Sequence, residues 1–424
     1  MLANRLAALL GRLGIHYAWV VAAITFLAML VTSAALGLPG ALMQPLSKEF
    51  GWSTTELSSV FATRFALYGL LGPLAAVVLL RYGVSRVVSL AAAIIGGSLL
   101  LGAFIQSLGQ AFLLWGLALG LGTGLTAMVL GATVAGRWFV QRRGLVMGLL
   151  AGSAATGQLI FLPLAAWLIE QYGWRWALLP AAAAAGVVLV LVLLFMRDTP
   201  ADLGLRAYGA PADAAPAPVA PRADWGLPFR TLAEAVRRPT FWVLAGSFFI
   251  CGLSTNGLIQ THFISLCGDR GMGPVPAASV LSMMGVFDLI GTTLSGYLSD
   301  RFDNRKLLAW YYGLRGLSLF WLPYSEFTLV GLSLFAVFYG LDWIATVPPT
   351  VKLAAAEFGP ERASIVFGWV FAAHQLGAAA AAYGGGLSRS LLLSYSPALF
   401  VAGAACLLAA LGVRLMRTPI RAGG

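Results

Sequence analysis

Apolar runs of about twenty residues, separated by short polar stretches, occupy almost the whole chain. They predict helices at 17–43, 56–79, 87–108, 111–135, 145–169 and 176–196, and then, after one hydrophilic stretch, at 241–264, 277–298, 307–324, 328–353, 365–386 and 397–415. A helix rises 1.5 Å per residue, so about 20 residues cross a ~30 Å hydrocarbon core, and these runs are of that length. The expected fold class is therefore an all-α membrane protein with twelve transmembrane helices. The first run follows Arg5 and Arg12 and shows no convincing cleavage site, so it reads as a retained helix.

Composition agrees with the pattern. Hydrophobic residues make up 59% of the chain and charged residues 10%, against roughly a quarter charged in a soluble domain. The formal charge of +11 does not mark a nucleic-acid partner, because the basic residues stand singly or in pairs between apolar runs. Their placement reports topology instead. Of the 27 lysines and arginines, only Lys48, Arg175, Arg270 and Arg389 fall on one side of the predicted spans, and Arg64 and Arg315 lie within them. The positive-inside rule then puts both termini in the cytoplasm of a multi-pass protein of the cell's inner or plasma membrane. Cys251, Cys267 and Cys406 lie in or near apolar runs without metal-ligand spacing, so neither a metal nor a cofactor is expected.

The hydrophilic stretch divides the chain into an N-terminal six-helix bundle (1–198), a linker (199–238) and a C-terminal six-helix bundle (239–424). The centre of the linker, 210–221, is alanine and proline without apolar period. Beyond it, Thr231 and Glu234 have the spacing of a capping box, predicting a short helix before Pro239.

The two halves echo each other at a constant offset of 220 residues. SGYLSDRFDNRK at 295–306 falls on AAVVLLRYGVSR at 75–86, and Gly148 and Gly157 fall on Gly368 and Gly377. Gly116, Gly120 and Gly124 recur every fourth position, which lets helices approach closely. Gly37, Pro39 and Gly40 in the first span, and Pro348 and Pro349 in the tenth, weaken the helix and mark candidate binding or moving elements as well as plain kinks.

Six plus six helices, a long central loop and GYLSDRF-x-x-RK between the eighth and ninth spans resemble the major facilitator superfamily. The resemblance implies two pseudo-symmetric bundles, alternating access, and a cytoplasmic gate in which Asp300, Arg301, Arg305 and Lys306 latch one state, with Arg81 and Arg86 as the first-half copy. Leu80 stands where that copy needs its aspartate. PLSKEFGWSTTELS, RWFVQRRGLVMGLLAGSAATGQ and YGWRW are similar to the monocarboxylate porter and oxalate/formate antiporter branch. There an arginine four residues after an aspartate of the eighth helix holds a carboxylate; this chain has Asp288 followed by Thr292, and matches a basic residue of the eleventh helix only with His374.

Ionisable residues at membrane depth cost roughly 2.5–3.5 kcal/mol each on insertion scales and so need partners or a wet cavity. Counting from the nearest cytoplasmic charge, Asp288 lies ~18 Å deep, Arg315 ~13 Å and Asp342 ~15 Å. They form either a static buried ion network or a proton-coupling group. Arg64, ~25 Å from Arg81, has no acidic residue in its span except Glu56, and is the candidate ligand for a substrate carboxylate or a contact to the other half. Asn256, Gln260, His374 and Gln158 complete the candidate substrate site; each is equally a plausible helix-to-helix contact.

The resulting expectation is a secondary transporter of a small organic anion, monocarboxylate-like, coupled to protons and functional as a monomer. The alternative is a proton-driven exporter of amphipathic metabolites or drugs. A membrane-embedded enzyme would need a polar loop with clustered catalytic groups, and a non-transporting sensor a signalling domain; neither is present in the sequence.

Overall fold

The computed structural model describes residues 2–126, 128–211 and 224–416. Most of the alanine-proline centre of the linker lies outside the described residues. Everything of length is helical. A short amphipathic helix, α1 (Leu2–Arg12), precedes α2 (Ala18–Phe50), α3 (Thr54–Tyr82), α4 (Val84–Gly102), α5 (Leu108–Trp138), α6 (Arg143–Tyr172) and α7 (Trp174–Phe195). The linker contributes α8 (Leu227–Ala235). Then follow α9 (Pro239–Asp269), α10 (Pro274–Arg301), α11 (Asn304–Trp321), α12 (Ser333–Phe358), α13 (Pro360–Leu392) and α14 (Ser396–Leu415).

Eleven of these are long and apolar enough to cross a membrane. The other predicted span is α11, whose 18 residues include Arg305, Lys306 and Arg315; the buried arginine that makes this helix of interest also makes it the least apolar. Helix ends follow local chemistry. Ser53 caps α3 in a reciprocal capping box with Glu56, and α2 ends where Gly51 turns left-handed at φ 69°. The capping box expected at Thr231 does not form. Helix α8 starts earlier, after Gly226 with Pro228 in its first turn, so Thr231 is a buried mid-helix residue and Glu234 belongs to the last turn. Pro228, which needs no N–H partner at that position, provides the better start.

The 220-residue echo reappears as equivalent packing. A Cβ on Gly120 of α5 would lie 3.2 Å from the Arg64 Cα, and one on Gly340 of α12 would lie 2.9 Å from the Met284 Cα, both pairs being related by the offset. Gly157 presses on the Leu30 carbonyl and its counterpart Gly377 on the Phe249 carbonyl, one residue from the position the offset gives. On the face opposite the linker, Glu49 pairs with Arg175 and its counterpart Asp269 with Arg389. The halves meet along two seams. Helix α3 packs against α13 along most of its length, from Ser58 on Gly386 through Gly69 on Gln375 to Pro73 on Gly368, and α6 packs against α10 near Gly152 and Leu289. Leu36, Phe65, Tyr68, Ala378 and Ala382 form an apolar cluster between the halves.

Candidate functional site

Proline placement explains the surroundings of Arg64. In a helix the N–H of residue 39 would bond the carbonyl of residue 35, but Pro39 has none, so the Ala35 oxygen is released inside an otherwise continuous α2. Arg64 takes it: Nη1 donates to the Ala35 oxygen at 3.0 Å and Nη2 to the Leu36 oxygen at 3.2 Å. The guanidinium also lies 5.7 Å and 5.0 Å from the Phe61 and Phe65 ring centres. It is 1% exposed, its Nε–H has no acceptor, and no carboxylate pairs with it among the described residues. The first span is therefore not broken at its Gly-Leu-Pro-Gly sequence; it stays helical and lends the freed carbonyl and the one after it to an arginine.

Gln158 and Gln260 flank the same helix. A Cβ on Gly37 would come to 4.0 Å from the Gln158 Cγ, while Gly40 lies against the Gln260 carbonyl. Gln260 and Asn256 sit in a π-helical stretch of α9, Leu253–Gln260, whose wider turn has its carbonyls met from elsewhere: Tyr339 donates to the Ser254 oxygen at 2.8 Å and Thr261 to the Asn256 oxygen at 2.7 Å. Such stretches often accompany functional sites. His374 is on α13, sandwiched between Phe248 at 5.1 Å and Phe371 at 5.6 Å, with its Nδ1 unpartnered among the described residues. Phe371 in turn contacts Tyr68, one turn from Arg64 on α3, so a row of rings joins the arginine's helix to the histidine.

Two further polar residues lie here: His262, which the sequence did not single out, and Gln375, a possible cavity-lining residue of the eleventh predicted span. His262 bonds the Ala382 carbonyl at 2.8 Å across α9 and α13, and Gln375 is buried with its Oε1 unpartnered among the described residues. Only spatial proximity separates these from core residues.

The acidic cluster is organised around a break in α12. The helix stops at Asp342 and resumes at Val347, because Pro348 and Pro349 cannot donate to the carbonyls of Ile344 and Ala345. Side chains from α10 and α11 close the gap. Arg315 donates from Nη2 to the carbonyls of Asp342 (2.5 Å) and Trp343 (3.2 Å), from Nε to the Asp342 carboxylate at 2.6 Å, and from Nη1 to the Cys251 sulfur at 2.9 Å. The Asp288 carboxylate accepts from the Ile344 N–H and from the Thr292 hydroxyl, both at 2.9 Å. Ser295 donates to the Ala345 oxygen at 2.5 Å. Arg315 and Asp342 thus form a pair, with Asp288 beside them on the same break rather than in direct contact with the arginine. Thr292, standing where the similar branch has an arginine, is a ligand of the aspartate.

On the linker face, Asp300 pairs with Lys352 of α12. Arg301 lies over the Tyr297 ring at 4.1 Å, and Arg305 bonds Asp303 at 2.7 Å and the Met416 carbonyl at 2.9 Å. The hydrogen bond from Arg305 holds the Asp303 carboxyl below its usual range. Lys306 and Arg86 are exposed, and Arg81 is 5.8 Å from the Trp225 ring centre ahead of α8. In the first half a carboxylate from outside the turn reaches it: Asp198, just past α7, accepts from the Ser85 N–H at 2.7 Å, while its carbonyl takes Arg137 at 3.4 Å. An acid immediately after a span was the available signal.

Comparisons with known proteins agree with this architecture. The Major Facilitator Superfamily profile matches residues 25–382 and 278–422. Monocarboxylate transporter 13 of Bos taurus is 30% identical over 321 residues, covering 74% of this chain and 69% of that protein; its Rattus norvegicus counterpart is 29% identical over 318 residues, with the same coverage. An uncharacterised MFS-type transporter of Bacillus subtilis (strain 168) is 23% identical, covering 74% of each chain. Among solved structures, a D-xylose-proton symporter superposes with a TM-score of 0.72 at 15% identity, over 95% of this chain and 98% of that one. A bacterial homolog of the human lysosomal transporter Spinster gives 0.67 at 16%, over 94% and 95%. With its helical bundle, its repeat-related packing and these matches, the chain belongs to the major facilitator superfamily and is a multi-pass membrane transporter.

Proposed function

We propose that the protein is a secondary transporter of a small organic anion, monocarboxylate-like, with proton symport. It works by rocking of halves 1–198 and 239–424 about a site near the midplane, acts as a monomer, and has both termini in the cytoplasm. The observation that carries the reading is Arg64: a permanently charged group, 1% exposed, satisfied in part by carbonyls and without a carboxylate partner among the described residues. A guanidinium presents five donors in a plane that suits a carboxylate, and an anion from outside would complete its coordination. Gln158, Asn256, Gln260 and His374 supply neutral polar groups around it. The relatives named monocarboxylate transporters support this substrate class.

Proton coupling belongs to the break in α12. The Asp342 carboxylate has one oxygen without a partner among the described residues, and Asp288 is held only by neutral donors, so both have room to take a proton as their surroundings change. The test is uptake of a panel of labelled monocarboxylates by the full chain in proteoliposomes. An inward proton gradient should drive accumulation that a protonophore abolishes. Arg64→Gln should weaken apparent affinity about tenfold to a hundredfold, the value of a hydrogen bond to a charged group, and Arg64→Lys should lose less. Wild-type affinity and rate in Arg64→Gln would remove the anion role, and uptake indifferent to the gradient would remove symport.

A further inference from the structure

Where α8 meets the turn between α12 and α13, the surface is hollowed into a cavity of about 350 Å3. Arg237, Arg238 and Arg362 line it, together with Glu234 and Glu357. Glu234 is engaged by Arg362 in an ion pair. The guanidinium groups of Arg237 and Arg238 have no partner among the described residues, where Glu357 is the one lining acid without an ion pair. Two adjacent cations beside a pre-formed hollow are suited to a doubly coordinated oxyanion.

The depth of the hollow narrows the class of ligand. Pro239 begins α9 directly after Arg238, and Trp242, one turn further on, is 61% exposed with its ring N–H anchored on the Val236 carbonyl at 2.8 Å. An outward-facing tryptophan fixed at the first turn of a span sits at headgroup level, between water and acyl chains. Basic pockets at that depth suit anionic lipid headgroups. A volume near the lower end of small-ligand sites accommodates a phosphate and its glycerol while leaving the tails outside, along the apolar surface that Trp242 begins.

We infer that this cavity is a binding site for the phosphate group of an anionic phospholipid in the leaflet on the linker side, with Arg237 and Arg238 as its ligands. The site is separate from the proposed substrate site, and its test needs no transport.

The thermal midpoint of the detergent-solubilised full chain is measured against short-chain phosphatidylglycerol, short-chain phosphatidylcholine and inorganic phosphate. The expected result is a saturable rise with phosphatidylglycerol alone. Arg237→Gln/Arg238→Gln should shift its half-saturation upward on the order of tenfold to thirtyfold, while Arg414→Gln, another basic position near the linker face, should not. If the double variant does not purify folded, Arg237→Gln alone is used and should shift it about fivefold. An unshifted curve in these variants, an equal rise with phosphatidylcholine, or the same rise with inorganic phosphate overturns the lipid assignment.

Discussion

Arg315 and Asp342 occupy positions whose 220-residue counterparts are Ile95 and Gly122, and those two are also in contact, a Cβ on Gly122 lying 3.0 Å from the Ile95 side chain. The same place in the repeat is thus filled by an ion pair in one half and by apolar packing in the other, so the helix pair itself does not require charge. Removing one member leaves the other buried and uncompensated, which costs about 3–5 kcal/mol, whereas removing both costs less. Asp342→Ala should therefore destabilise the protein strongly, and Arg315→Ile added to it should recover part of the loss. The recovery should stay incomplete because Arg315 also satisfies the Asp342 and Trp343 carbonyls. Thermal midpoints of the two single variants and the double variant give the coupling; a double variant no more stable than Asp342→Ala would contradict it. The ionisable residues themselves were legible as costly positions in an apolar sequence. Their partners were not, because a backbone carbonyl released by a proline on another helix leaves no local trace.

At the scale of the helix, proline and glycine decide the course of the chain, and they do so differently in each place. Pro39 is absorbed in α2, where Arg64 covers the released carbonyl, while Pro348 and Pro349 together interrupt α12. A single missing donor is offset by one side chain; two consecutive ones remove a turn of hydrogen bonds. The glycines also divide by surroundings. A Cβ at Gly377 would collide with the Phe249 carbonyl, whereas Gly148, which reads identically in sequence, has nothing within 4 Å. Gly377→Ala should lower stability by about 1–3 kcal/mol, the range for overpacking, and Gly148→Ala should leave the thermal midpoint unchanged or slightly raised, since alanine is the better helix former. Equal effects of the two substitutions would mean that the close packing of α13 on α9 is not as described. Helix positions were readable from the hydrophobic runs, but the π-helical turn of α9 and the early start of α8 arise from contacts and proline placement that the runs do not encode.

For the whole molecule, the membrane-spanning helical bundle and the family follow from hydropathy, the internal repeat and one turn motif. On the linker face the two halves place their carboxylates differently. Asp300 pairs with Lys352 within the second half, and both side chains are more than a third exposed, so the pair contributes little to folding. Asp198 instead accepts a backbone N–H at the start of α4 and is part-buried there. Asp300→Asn should slow transport with little change in substrate affinity or thermal midpoint, whereas Asp198→Asn should lower the midpoint. Rates and half-saturation constants in proteoliposomes, with unfolding curves alongside, check both; an unchanged rate in Asp300→Asn would exclude the latch. The sequence by itself determined that the chain is a bundle of membrane helices with a repeated plan, because solvent exclusion acts on every residue of a span and so writes itself into composition. Only the tertiary structure decided which polar groups satisfy one another, since in a membrane each buried donor and acceptor must find a partner, and that partner is chosen by helix packing across hundreds of residues.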